Sequence, residues 1–233
     1  MKTVVSLTTI PSRVDNVHHI IDMLLKQSYK PDSIILYVAF DKIPDKLRDM
    51  ESQNPIFQIK QVKDMGSGTK WYYSLKDDND IVIFLDDDVF IHHNLLEELI
   101  GYHTKYPSYN LGFIGTTNNI FVHNEYLVYC DRYDVDLLGG YRSVLVPWNR
   151  YTSSQKESLI SSFELLCDSS NILDDDYFLS KAWKHIDIKA SVVKSKHPWA
   201  FQFAVWSSTD NLNNEKNEEK MIMDRRRIDT FFS

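Results

Sequence analysis

Cysteine is nearly absent from this chain: 233 residues carry two, Cys130 and Cys167. Two cysteines without metal-ligand spacing exclude a disulfide framework and point to a reducing, cytoplasmic compartment. No apolar run approaches the roughly 20 residues of a membrane-spanning helix. The N-terminal "MKTVVSLTTIPSR" begins like a secretion signal, but its apolar stretch is too short and reads as a first strand. An excess of basic charge is also missing. The net charge of −7 speaks against nucleic-acid binding as the main role. Glycine is scarce, with seven residues and a single Gly-x-Gly at Gly66 and Gly68. That stretch is neither a Walker loop nor a dinucleotide fingerprint, so ATPase and dehydrogenase readings fall away.

What remains is the composition of an ordinary globular protein, long enough to bury a core without staples. "KTVVSLTTI" predicts a first strand, and Ser12 three residues before Asp15 predicts the start of a helix carrying Val14, Val17, Ile20, Ile21, Leu24 and Leu25. "SIILYVAF" and "IFQIKQV" predict two further strands around a short polar helix over 45–52. "WYYSLK" starts a helix, "IVIFLDDD" is a fourth strand, and "NLLEELIGYHTKY" is an amphipathic helix. Strands alternating with helices to about Gly112 predict βαβ units and a mainly parallel sheet flanked by helices. Beyond it the sequence predicts short, irregular antiparallel strands, a helix over 153–167, the stretch "NILDDDYFLSKAWKHI", a strand "DIKASVV" and a charged terminal helix or tail. One α/β domain over 1–233 is expected, with about 1–115 as a nucleotide-binding half, about 116–210 as a half carrying acceptor contacts and 211–233 as the tail.

The unusual feature is a run of three carboxylates, Asp86, Asp87 and Asp88, directly after an apolar strand. Like charges repel, and a buried carboxylate is costly unless paired or bound to metal. Strand alternation would aim Asp86 and Asp88 to one side, an oxygen site suited to Mg²⁺ or Mn²⁺. Such a cation also takes diphosphate oxygens. Ligands of open α/β sheets sit at the carboxyl ends of strands, where Thr8, Thr9, Asp41 and Asp64 also fall. Arg13, near a predicted helix start, and Lys70 offer positive charge to an anionic ligand.

A second triplet, Asp174, Asp175 and Asp176, opens the helix "DDDYFLSKAW". Acids at a helix N-terminus are favoured by the dipole alone, but a carboxylate there can also take a proton from a bound hydroxyl. Gly139 and Gly140 suit either a hairpin turn or close backbone approach to a sugar, with Tyr141 or Trp148 as a stacking face. His197 is a candidate third metal ligand, whereas His92 and His93 stand too far past the first triplet to be favoured. Arg225, Arg226 and Arg227 read as a solvated helix face.

Through "VVSLTTIPSR", "DMGSGTK", "FLDDDVF", "VDLLGGYRSVLV" and "LDDDYFLS" the chain resembles GT-A fold, nucleotide-diphospho-sugar glycosyltransferases near family 2. Among them it resembles the small glycosyltransferases of large DNA viruses, such as the chlorella virus rhamnosyltransferase domain. The resemblance implies a Rossmann-like sheet and a nucleotide pocket lined by Thr8, Thr9, Arg13, Asp41, Asp64, Lys70, Asp86 and Asp87. It implies Asp86 facing the ribose, Asp88 on the metal, Gly140 bordering the donor sugar, and Asp175 and Asp176 as the acidic pair, with Asp176 the base. The sequence departs from relatives at Ser67, where proline is common, and at His197, which is not a fixed family feature.

The function expected is metal-dependent, inverting transfer of a sugar from a UDP-linked donor to a hydroxyl of a glycan or glycoconjugate. The cofactor is Mn²⁺ or Mg²⁺, with no nucleic acid and no membrane span; a viral protein would act in the host cytoplasm. Two alternatives stand beside it. A sugar-phosphate nucleotidyltransferase would need a glycine-rich N-terminal loop that "SLTTIPSR" lacks. A non-catalytic sugar- or nucleotide-binding module would not need two intact acidic triplets.

Overall fold

The structure, a computed structural model, describes residues 1–118, 120–123, 127, 129–140, 143–167, 172–197, 202–203 and 215–233. Tyr141 lies outside them.

The first half builds as its pattern dictates. Strands β1 (Thr3–Thr8), β2 (Ser33–Val38), β3 (Phe57–Gln61) and β4 (Ile81–Phe84) pair in parallel in the order β3-β2-β1-β4. β1, β2 and β4 are near-continuously apolar because helices cover both faces. Helices α1 (His18–Leu25), α2 (Asp45–Gln53) and α3 (Thr69–Lys76) connect them. The chain winds from β1 outward through β2 to β3, then returns to place β4 on the other side of β1. The connections therefore part between β1 and β4, and their carboxyl ends open a crevice there.

The first helix starts later than expected. Residues 11–17 form successive turns, with Arg13 N–H donating to the Ile10 carbonyl and Asn16 N–H to Arg13. Val14, Val17, Ile20, Ile21 and Leu24 are nonetheless buried. Their spacing marks the inward face of a coiling chain, whether that coil is a turn or a helix.

The rest extends the sheet from the other side of β4. After β5 (Val89–Phe90) and α4 (Leu95–Lys105) come β6 (Asn110–Gly112), β7 (Ile114–Thr117), β8 (Ile120–His123), β9 (Arg132–Val135), β10 (Leu137–Leu138) and β11 (Val144–Val146). Helices α5 (Ser153–Cys167) and α6 (Asp175–His185), strands β12 (Ala190–Val193) and β13 (Gln202–Phe203), and helix α7 (Glu215–Phe231) complete the described chain. The main sheet runs β3-β2-β1-β4-β11-β6-β12-β9. β11 is antiparallel to β4, with Val144 opposite Phe84. The residues just before β11, Gly140 among them, therefore meet the carboxyl end of β4. β6 and β12 run parallel to each other, and β6 is antiparallel to β11, so the carboxyl end of β12 faces the same way.

Two apolar layers clamp this sheet. Val5, Leu7, Ile34, Leu36, Ile81 and Ile83 pack against α1 and α4 on one face. Trp71, Phe163, Phe178 and Trp183 fill the other, from α3, α5 and α6. Trp148 is 3% exposed and packs against Tyr151 within that second layer. It belongs to the core and is no stacking face for a sugar. Among the described residues no helix is long and apolar enough to cross a membrane. Cys130 and Cys167 are not joined in a disulfide.

Candidate active site

β4 ends at Phe84, and the first triplet occupies a turn before β5. Strand alternation therefore does not set its side chains. Asp86 turns to the Lys70 Nζ, 2.7 Å away, on the first turn of α3. Asp87 and Asp88 turn together toward Arg13, whose Nη1 lies 2.7 Å from Asp87 Oδ1 and 2.8 Å from Asp88 Oδ2. Thr9 Oγ1 donates to Asp87 Oδ2 at 2.5 Å. With both oxygens engaged and 4% exposure, Asp87 holds the turn to the loop after β1.

Lys70 is the hinge between the two acidic stretches. Gly66, at φ 68°, makes the tight turn before α3, and Asp64 caps it by accepting the Gly66 N–H at 2.8 Å. Ser6 of β1 donates its hydroxyl to the Lys70 carbonyl. These contacts seat Lys70, 4% exposed, under the crevice. Its Nζ also lies 3.3 Å from Asp175 Oδ2. Burial alone would lower the Lys70 pKa, but the charges of Asp175, Asp86 and Asp176 outweigh it and raise it.

The second triplet opens α6. Asp174 is the N-cap, accepting the Tyr177 N–H at 3.2 Å. Asp174 Oδ2 also binds Arg225 Nε at 2.6 Å, from α7. Asp224 of α7 accepts the Leu173 N–H at 2.9 Å, and Arg227 donates to the Leu166 carbonyl at 2.5 Å. Arg225 thus fastens the acidic loop and Arg227 the end of α5, so neither is merely a solvated face.

Asp176 receives the Gly140 N–H at 2.8 Å. A Cβ at Gly140 would collide with the Asp176 carboxylate, so the glycine is what permits this approach. Burial pushes the Asp175 and Asp176 carboxyls up, Asp176 the further because Asp175 adds its charge. Burial and the neighbouring Asp86 push Asp88 up to about 6, and burial likewise raises Asp87.

The chemistry of this donor set fits a divalent cation. Asp86, Asp87, Asp88, Asp175 and Asp176 gather around two cationic side chains, Arg13 and Lys70. Carboxylates outnumber cations, and burial drives the surplus to hold protons. A bound Mg²⁺ or Mn²⁺ would relieve that surplus, with Asp88 and Asp86 as oxygen ligands.

The other expected residues sit differently. Thr8 Oγ1 donates to the Tyr37 carbonyl at 3.1 Å, which ties β1 to β2. Asp41 is exposed at the end of β2 and accepts from Gln61 at 3.4 Å. Asp64 is exposed at the end of β3. Neither aspartate pairs with the triplets, and both line the outer rim on the β2–β3 side.

His197 also lies apart from the triplets. Its ring is 4.8 Å from that of His92, and both stand beside Glu98 of α4. Sequence reasoning missed Glu98, although a charge between Leu95, Leu96 and Leu99 on the buried stripe of α4 was a readable signal. A cavity of about 550 Å³ between α3 and α5, lined by Lys63, Met65, Tyr72, Tyr73, Glu164 and Cys167, includes no triplet residue. It brings together no comparable set of charges.

No protein-family model and no curated protein sequence matches the chain. Solved structures do. The chain is similar to S. aureus TarS over 88% of its own length and 36% of that chain, with TM-score 0.58 and 15% identity. It matches TarS 1–349, solved in complex with UDP-GlcNAc, over 100% of its own length and 70% of that chain, with TM-score 0.60 and 15% identity. In the first match it spans about a third of TarS. The shared property is the fold: a mixed, mainly parallel GT-A sheet flanked by helices.

Proposed function

We propose that the chain is a metal-dependent, inverting glycosyltransferase using a UDP-linked sugar. The observation that carries the reading is the meeting of two acidic triplets through Lys70 at the carboxyl-end crevice between β1 and β4. A site for one anion would not collect five carboxylates. A site for a cation, a diphosphate and a hydroxyl to be deprotonated would. The TarS structure with UDP-GlcNAc has the same fold, which supports a nucleotide-sugar donor here.

Asp86 and Asp88 would hold the cation, and Lys70 and Arg13 would face the diphosphate. When bound, the cation supplies positive charge to the departing diphosphate. Asp176 stands on the acceptor side, held by the Gly140 N–H. Burial raises the Asp176 carboxyl, which makes it a stronger base for taking up a proton. It takes the proton of an acceptor hydroxyl as that oxygen bonds to the anomeric carbon. The bond from that carbon to the diphosphate breaks, and its electron pair leaves with the nucleoside diphosphate. Attack from the face opposite the leaving group inverts the centre, through a transition state with oxocarbenium character.

Calorimetric titration of UDP, GDP and dTDP, each with and without Mn²⁺, tests this. The expected result is metal-dependent binding of UDP that is lost in Asp88→Ala. Absence of binding by all three nucleotides would overturn the donor-site reading.

A further inference from the structure

We infer that His92, Glu98 and His197 form a second metal site, selective for Zn²⁺ over Mg²⁺, which fastens the segment after β12 to helix α4. The three come from separate parts of the chain: the loop after β5, the first turn of α4, and the segment that leads from β12 to β13. Their ligand atoms lie within 4.8 Å of one another, with His92 Nε2 3.8 Å from Glu98 Oε2. Tetrahedral Zn²⁺ with bonds of about 2.1 Å sets ligands roughly 3.4 Å apart. The side chains therefore need to draw in by about an ångström.

Glu98 supplies the independent argument. It is 9% exposed, yet no lysine or arginine among the described residues pairs with it. Its oxygens accept Ser195 Oγ–H at 2.8 Å and the Lys196 N–H at 3.3 Å. Two neutral donors orient a carboxylate without cancelling its charge, and buried charges are normally paired or bound to metal. The same two donors are the outer contacts that a metal-binding carboxylate needs. Ser195 Oγ also accepts the His197 N–H at 3.0 Å, so one hydroxyl positions two of the three ligands.

Loading the site ends a weak contact of His92. His92 Nδ1 accepts the Asn94 N–H at 3.2 Å, and metal at Nε2 moves the ring proton to Nδ1 and ends that bond. Two imidazoles and a carboxylate favour zinc, whereas the all-oxygen triplet site favours Mg²⁺ or Mn²⁺. Different ligand chemistry therefore keeps the two cations in separate places. The clasp would hold the chain that continues to β13, which pairs with β5 immediately after the first triplet.

The test uses the full chain, stripped of metal and titrated with Co²⁺ and then Zn²⁺. The expected result is one equivalent of Co²⁺ with intense tetrahedral visible bands, displaced by Zn²⁺ and not by Mg²⁺. The bands should persist in Asp88→Asn, which removes a triplet ligand. Binding should weaken at least about a hundredfold in His197→Ala and in Glu98→Gln. His197→Cys should restore it, because a thiolate also ligates zinc. Exposed His197 can be replaced without disturbing the core, so loss of binding there is not loss of fold. Cobalt bands that vanish in Asp88→Asn but survive His197→Ala would overturn the inference, as would Zn²⁺ binding that His197→Ala leaves unchanged. Neither outcome bears on UDP binding at the triplets, so the two proposals fail separately.

Discussion

The chain contains the same string, Leu-Asp-Asp-Asp, twice, at 85–88 and at 173–176, and folds it into two different devices. The first is a turn after a parallel strand; the second is the cap and first turn of a helix. In each, one aspartate is spent on the scaffold: Asp87 on Thr9 and Arg13, Asp174 on the α6 N-terminus and Arg225. In each, one shares Lys70: Asp86 at 2.7 Å and Asp175 at 3.3 Å. The third differs. Asp88 keeps an arginine, and among the described residues Asp176 keeps only a backbone N–H as its hydrogen-bond donor. A carboxylate beside a movable cation can exchange it for a metal ion. A half-buried carboxylate with no direct ion-pair partner among the described residues is ready to hold a proton. On the proposed reading, identical composition would yield a metal ligand and a base because the opposing elements differ.

Breaking the second device should have the largest effect. Asp176→Asn keeps the shape but removes the proposed base, and transfer should fall about a thousandfold while calorimetry shows UDP binding unchanged. Retention of full transfer would remove Asp176 from the mechanism. Gly140→Ala comes next, since its Cβ displaces the Asp176 carboxylate. The expected loss in kcat is roughly ten- to a hundredfold, again with unaltered UDP affinity.

The first device is sharpened by pH. The Asp88 carboxyl is pushed up to about 6, so it is ionised above that value and protonated below it. Mn²⁺ affinity should be level above about pH 6 and fall by up to about tenfold per unit below it. In Arg13→Gln, Mn²⁺ alone should bind more tightly than in the parent, because the competing cation is gone. Paramagnetic detection of free Mn²⁺ measures both. The smallest effect belongs to the scaffold: Arg225→Ala removes a half-exposed partner of Asp174 and should cost about 1 kcal/mol. A fall in Tm of about 2–4 °C would register it.

Much of this comparison was legible in the sequence. Apolar runs located β1, β2 and β4, the last two ending near acids, and their carboxyl ends located the crevice. The residues that assign each aspartate its role were harder to read. Arg13 meets residues more than 70 positions away, and Arg225 meets Asp174 across 51. Such partners are chosen by packing between elements, which leaves no local period. The strand order beyond β4 was equally hidden. Strands of two to four residues inserted out of sequence, as β11 is between β4 and β6, carry too little pattern to fix neighbours. His92 and His197 are separated by 105 positions in the chain, and only the return of the segment after β12 brings them together.

Lys70 is one cation divided between two acids, and that division is a thermodynamic link. Whatever a divalent ion at Asp86 and Asp88 does to proton binding at Asp175 and Asp176, proton binding there must do to the ion's affinity, by the same factor. Filling the donor side would free a share of Lys70 and draw the acceptor side toward ionisation. If the chain acts as proposed, this wiring would arm the base only once the donor is seated and would spare the activated sugar from idle attack by water.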